Sequence, residues 1–279
     1  MEPILDDHMH LDPDHGRGTE AVKDFSRAGG THLLVVNKPS WHLGDLPASG
    51  ADFEHIFETT LDAVESANDV LDGRAWPVLG VHPGLISRLT EAARGPEGAG
   101  EIMRAGLDLA AEYVADGRAL GLKSGRPHYE VSDAVWSASN DVLKHALALG
   151  AKHDRAVQLH TEGSEDLTEI AEWAEERGLP AHRVVKHYAN GRLKGPTPSV
   201  ICEKDQLRRA AESGVPFLME TDFIDDPQRP GAVLGPKTVP RRVAWLREEG
   251  YEGAIRTAHV ETPEWVYGID TVGTLDRSG

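Results

Sequence analysis

The strongest constraint on this chain is a rhythm: short apolar segments alternate with longer amphipathic ones along most of its 279 residues. That pattern marks repeated βα units around a parallel sheet rather than separate helical and sheet domains. Eight candidate strands run Ile4 to His10, His32 to Lys38, Trp76 to His82, Ala119 to Gly125, Ala156 to His160, Arg183 to His187, Ser199 to Cys202 and Pro216 to Asp222. Between them lie candidate helices with readable ends. One starts at Thr19 and closes at Gly29–Gly30; others cover Phe53 to Asn68 and Glu101 to Val114; one starts at Ser132 and one at Ser164. Glu203 to Ser213 precedes Gly214, and Pro240 to Glu249 precedes Gly250. Serine or threonine ahead of a helix and glycine behind it satisfy the end groups that the helix leaves open. Eight such units predict a TIM (β/α)8 barrel, which takes about 250 residues, so 1–279 reads as one domain. The exception is Ala189 to Pro198, where glycine and proline forbid a normal crossover helix and predict one degenerate unit. The tail TLDRSG is expected to fray.

In a parallel barrel all C-terminal strand ends point to one rim, so residues far apart in sequence converge there. His8 and His10 sit two apart on the first strand and project from the same face. His160 closes the fifth strand, His187 the sixth and Asp222 the eighth. One apolar strand ending in a metal-ligand residue is ordinary, and His-x-His alone is a weak signal. Four such strand ends predict a single site for a transition metal, because neutral imidazoles and a carboxylate suit one.

Charge and cysteine content narrow the function classes. The 46 acidic against 29 basic residues give a net charge of −17, which disfavours nucleic acid and anionic membranes as partners. The same surface would suit a halophilic protein, kept soluble in salt that screens self-repulsion. One cysteine, Cys202, allows no internal disulfide; it falls inside a β segment and reads as inert core. The start, MEPILDDHMH, lacks the basic and apolar stretches of a signal peptide, and no run reaches the ~20 apolar residues of a membrane span. A cytoplasmic protein is the expectation. Its oligomeric state is not legible.

At this point the chain resembles a known family, the TatD-type metal-dependent hydrolases of the amidohydrolase superfamily, especially their archaeal members. The matching pieces are DDHMHLD, GVHPG at Gly80 to Gly84, GRPHY at Gly125 to Tyr129, QLHTE, KHYAN and LMETD, in family order over most of the chain. The resemblance implies two divalent metal ions (Zn, Mn or Mg), one held by His8, His10 and Asp222, the other by His160 and His187. Metal-bound hydroxide would be the nucleophile, with Asp222 taking up its proton. Glu220 is read as pointing to the opposite strand face in a structural role.

One departure is important. The family places a bridging glutamate on the fourth strand, where this chain has Lys123. An ammonium has no lone pair and would repel cations. Either the amine of Lys123 carries a carbon dioxide adduct and bridges the metals, or the site holds fewer metals, or Lys123 pairs with an acid and the bridge is absent. His82 is a candidate substrate contact or a supporting histidine. Arg126 and His128 are candidate binders of an anionic substrate group, the alternative for Arg126 being an ion pair. Glu162 and Trp41 lie just past strand ends, where loop packing is the simpler role. Three functions follow: hydrolysis of a small-molecule ester, lactone, amide or phosphoester bond, a metal-dependent deoxyribonuclease, and a barrel that binds a ligand or metal without catalysis. Fold analogy does not choose among them.

Overall fold

The computed structural model describes residues 2–44, 46–229 and 233–276. All eight expected strands are present: β1 (Leu5–His10), β2 (His32–Val36), β3 (Ala75–Gly80), β4 (Gly121–Gly125), β5 (Val157–His160), β6 (Val184–Ala189), β7 (Thr197–Ile201) and β8 (Leu218–Glu220). A ninth short segment, β9 (Phe223–Ile224), follows two residues later. The strands pair in parallel in the order β8-β7-β6-β5-β4-β3-β2-β1-β9. Since β8 and β9 are separated only by Thr221 and Asp222, the two ends of that order are one broken strand, and the sheet closes into a barrel. The break sits at Asp222, whose φ of 47° is a left-handed conformation that a strand cannot continue through.

Period-two alternation divides the core. Leu33 and Val35 of β2 face outward into a layer with Phe25 and Val64 from the flanking helices, while Leu34 and Val36 face inward with Leu5, Val78 and Leu218. The outer layer comprises α1 (Thr19–Arg27), α2 (Glu54–Leu71), α3 (Leu85–Leu89), α4 (Gly95–Ala115), α5 (Asp133–His153), α6 (Thr168–Glu175), α7 (Lys204–Ser213) and α8 (Thr238–Glu248). Ser132 does cap α5, accepting from Val135 N at 3.4 Å. Ser164 does not start α6. It belongs to the turn before it, and the helix begins at Thr168, whose backbone N–H and hydroxyl both donate to Asp166 Oδ1. No helix occupies Ala189 to Pro198; β6 runs almost directly into β7 through a loop bridged by Asp166 and Lys194.

The sequence gives no local sign of what closes the barrel floor. After α8 come α9 (Glu252–Arg256), α10 (Thr262–Tyr267) and α11 (Thr271–Asp276), and Val266, Tyr267 and Ile269 pack beneath the inward residues of the strands. His259 accepts from Leu5 N through Nδ1 at 3.0 Å, which ties this segment to the start of β1. Of the tail expected to fray, Thr274 to Asp276 belong to α11, and 277–279 lie outside the described residues. No helix among the described residues is long and apolar enough to cross a membrane.

Candidate active site

The first strand carries a register shift between Asp6 and Met9, the mark of a β-bulge. A bulge changes the parity of a strand, and here consecutive residues Asp7 and His8 both reach the interior side chain of Gln158. Gln158 Nε2 donates to the backbone oxygen of Asp7 (3.0 Å) and to Tyr267 Oη (2.8 Å). Its Oε1 therefore faces His8 Nδ1 at 2.7 Å, so Nδ1 must carry the proton. The Nε2 lone pair of His8 is left free for the cavity. His10 is fixed the same way, Nδ1 donating to Val36 O at 2.8 Å. His187 Nδ1 donates to Glu220 Oε1 at 3.1 Å. In each case a partner for Nδ1 sets the tautomer that can ligate through Nε2.

These lone pairs converge. His8 Nε2 and His10 Nε2 lie 3.3 Å apart, and Asp222 Oδ1 lies 4.0 and 3.7 Å from them. The rings of His8 and His187 stack at 4.0 Å, and His187 Nε2 meets His160 Nδ1 at 2.9 Å. Lys123 enters the same space, Nζ 3.3 Å from His8 Nε2, and is buried. The structure thus brings His10, Lys123, His160, His187 and Asp222 to one cavity, with His8 fully buried against His10 and His187 behind that lining. Two unprotonated nitrogens facing each other at van der Waals distance repel unless a cation sits between them, so the donor set fits a divalent metal. Two triads are close enough to share one, His8–His10–Asp222 and His8–His187–Glu220.

The electrostatics agree with ligating, neutral imidazoles. Burial holds His8, His160 and His187 well below the ordinary histidine range and His10 at about 3. Burial also lowers Lys123 to about 7, against the opposing pull of the Asp222 and Glu220 carboxylates, and raises Asp222 to about 7. Glycines let the strands that carry these groups approach closely. A Cβ at Gly80 would collide with the Lys123 carbonyl, and one at Gly125, at φ 153°, with the His160 carbonyl.

The reading of Glu220 is overturned. It is buried and turned toward the site, accepting from His187 Nδ1 and from Tyr188 N at 2.7 Å. Residues 220 and 222 are two apart, so strand alternation puts them on the same face, and Thr221 is the one that turns away, to Asp6. Because His187 Nε2 already points at His160, Glu220 orients the ring from behind.

His82 and His128 both line the cavity. His82 packs on His160 at 4.5 Å and on Trp41 at 5.2 Å, its Nδ1 accepting from Gly84 N. His128 is exposed, with Nδ1 2.8 Å from His160 Nε2. Arg126 is elsewhere. Its guanidinium is buried, paired with Glu162, hydrogen-bonded to Asn140 (3.1 Å) and Glu169 (3.4 Å), and stacked over Trp136 at 4.6 Å. With its donors engaged and no place in the cavity lining, Arg126 ties the loop after β4 to α5 and α6. Trp41, by contrast, does line the cavity, together with Lys38, His42 and Arg229. The sequence gives no flag for Lys38, His42, Arg229 or Tyr267. Only Gln158 had a usable signal, its position two residues before His160 on the same strand face.

The cavity above these groups has a volume of about 270 Å³. A barrel whose strand ends present imidazoles and a carboxylate to such a cavity belongs, by architecture, with the TIM-barrel metal hydrolases. The same fold is found in an organophosphorus hydrolase from Deinococcus radiodurans (TM-score 0.64, 12% identity, 95% of this chain and 92% of that one). It recurs in a mutant PTE-like lactonase of that organism (TM-score 0.63, 12% identity, 95% of each chain). At such identity the likeness is one of fold. In sequence, residues 5–263 match the family described as TatD related DNase. The chain is 36% identical to Uncharacterized protein MJ1127 of Methanocaldococcus jannaschii, over 96% of each chain. This chain belongs to the TatD-related DNase family and is a hydrolase of that type.

Proposed function

We propose that this hydrolase cleaves an ester, lactone, amide or phosphoester bond of a small molecule, rather than DNA. The observation that carries the reading is the cluster itself: His10, His160, His187 and Asp222 around the Lys123 amine in a cavity of about 270 Å³, with His8 buried against them. His8, His10 and Asp222 would hold one divalent ion, and His160 and His187 a second. A donor set rich in imidazole favours zinc over manganese or magnesium. When bound, the ions supply an activated water and Lewis acidity. The chain's own groups do the rest: Asp222 accepts a proton from the attacking water, and the cavity walls of His82 and His128 orient the substrate. The net charge of −17 opposes a polyanionic substrate, whereas the family description favours one. Activity against single- and double-stranded oligonucleotides, set beside aryl esters, lactones and phosphoesters, decides between them. Faster turnover of DNA than of every small ester would overturn the reading.

The cations need an anion between them, and a lysine amine stands where the family has a glutamate. We infer that Lys123 is carboxylated. The neutral amine adds to the carbon of carbon dioxide, an N–C bond forms, one proton leaves to solvent through the cavity mouth, and the carbamate gains a negative charge and two oxygens. Growth with ¹³C-labelled bicarbonate should give a carbamate carbon resonance in the metal-loaded protein that is missing in Lys123→Ala. Its absence from loaded wild-type protein would refute the adduct.

A further inference from the structure

One wall of the cavity takes no part in the histidine cluster. It is built from two loops, Lys38, Trp41 and His42 after β2 and Arg229 after β9. Lys38 is its rigid base: the buried ammonium donates to Asp12 Oδ2 at 2.7 Å and to Asp225 O at 2.6 Å, tying the loops after β1, β2 and β9 together. His42 Nδ1 is enclosed and meets no partner among the described residues. A buried nitrogen without an acceptor is better off unprotonated, which leaves the proton on Nε2 of a ring that lines the cavity. Burial, with Lys38 and Arg229 nearby, keeps the ring below its ordinary pKa, and Asp226 pulls the other way.

Arg229 is exposed at the cavity mouth. No carboxylate among the described residues lies within ion-pair distance of it, although the chain has 46 acidic residues. Arg88, behind Trp41, is also without an ion-pair partner there; its guanidinium lies 4.6 Å over the Trp41 ring. Two arginines without an ion-pair partner among the described residues therefore flank an aromatic face that borders the reaction cavity.

We propose that this wall is an anion subsite: Arg229 and the His42 Nε2–H hold a phosphate or carboxylate group of the substrate at the mouth, away from the bond that is cleaved, with Trp41 covering an adjoining apolar part. The inference rests on the small-molecule reading and deepens it, since it makes the substrate an anionic ester. A guanidinium fork suits either anion, and an anchor remote from the scissile bond places the reacting group over the cluster.

The test compares para-nitrophenyl butyrate with para-nitrophenyl hemisuccinate on the metal-loaded protein, and adds a titration with inorganic phosphate. Arg229→Gln should raise the ratio of hemisuccinate KM to butyrate KM about tenfold, the low end for a charge-assisted contact at an exposed rim. It should weaken phosphate binding by a similar factor, and His42→Leu should move both in the same direction. Arg256→Gln, which removes one exposed charge far from the wall, should leave the ratio where it was and so exclude a net-charge effect. An unmoved KM ratio in Arg229→Gln would overturn the subsite. If neither ester is turned over, phosphate affinity decides the subsite by itself. Weaker binding in Arg229→Gln supports it; unchanged binding means phosphate sits only at the metals.

Discussion

His8 and His10 are anchored from beneath, each Nδ1 donating to a fixed oxygen of the barrel interior, Gln158 Oε1 or Val36 O. His160 has no such anchor; its two ring nitrogens face His187 and His128. His187 stands between these cases, held by Glu220 on one side and turned to His160 on the other. The difference has a protonic consequence. With His187 Nε2 unprotonated, the proton between it and His160 belongs to His160 Nδ1, the very atom turned toward the site. For His160 to ligate through Nδ1, that proton must leave, and Nε2 can take it up if His128 Nδ1 changes from donor to acceptor. One half of the cluster is ready to bind a cation as it stands, and the other must first rearrange a chain of imidazoles.

The comparison is broken most directly at the anchored half. Asp222→Ala removes both a ligand and the proton acceptor, and hydrolysis should fall about a thousandfold or more. Thermal unfolding should remain cooperative, because Asp222 lies past the end of β8 and takes no part in its pairing. Loss of the folded state in Asp222→Ala and in Asp222→Asn alike would make the residue structural instead.

Removing the anchors rather than the ligands gives the next effect. Gln158→Leu frees the His8 tautomer and leaves Tyr267 Oη and Asp7 O without their shared donor. Metal affinity at the first position should drop about ten- to a hundredfold, the usual range for a partner that orients a ligand. Glu220→Gln should weaken the second position by a similar factor, since a neutral amide oxygen can still accept from His187 but no longer raises its basicity. Metal titration followed by calorimetry separates the two. An equal loss at both positions in each variant would show that the halves are not independent.

What was legible in the sequence follows the same division. His160, His187 and Asp222 announce themselves as ligand types at strand ends, and His8 and His10 by their two-residue spacing on the first strand; barrel topology alone brings such ends together. Their supports are silent. Gln158 is a neutral amide inside a strand, and Tyr267 arrives from a C-terminal helix that packs on the barrel floor by tertiary contacts alone. Glu220 is legible by its two-residue spacing from Asp222, which places both on one strand face. The left-handed turn at Asp222 and the bulge before His8 depend on how the sheet closes, which no local pattern encodes. In the sequence Arg126 reads as an anion binder, because it directly follows a ligand-bearing strand. Its partners, Glu162 and Glu169, sit in the next βα unit, where only the folded chain makes them neighbours.

The smallest effect should come from His128, and it is the sharpest test of the imidazole chain. His128 is exposed and touches the cluster only through His160 Nε2 at 2.8 Å. A hydrogen bond so open to water contributes little to holding the ring, so His128→Ala should leave the first metal-binding step untouched. The second step requires the proton on His160 to move to Nε2, and without His128 that N–H must be satisfied by solvent. Affinity at that step should therefore fall only about threefold. His128→Gln, whose amide oxygen can accept the same proton, should recover most of the loss. A His128→Ala variant that weakens the first step as much as the second would mean that His160 is not the unanchored member and that the cluster responds as one body. A variant that weakens only the second, with rescue by glutamine, would fix the proton path along His187, His160 and His128.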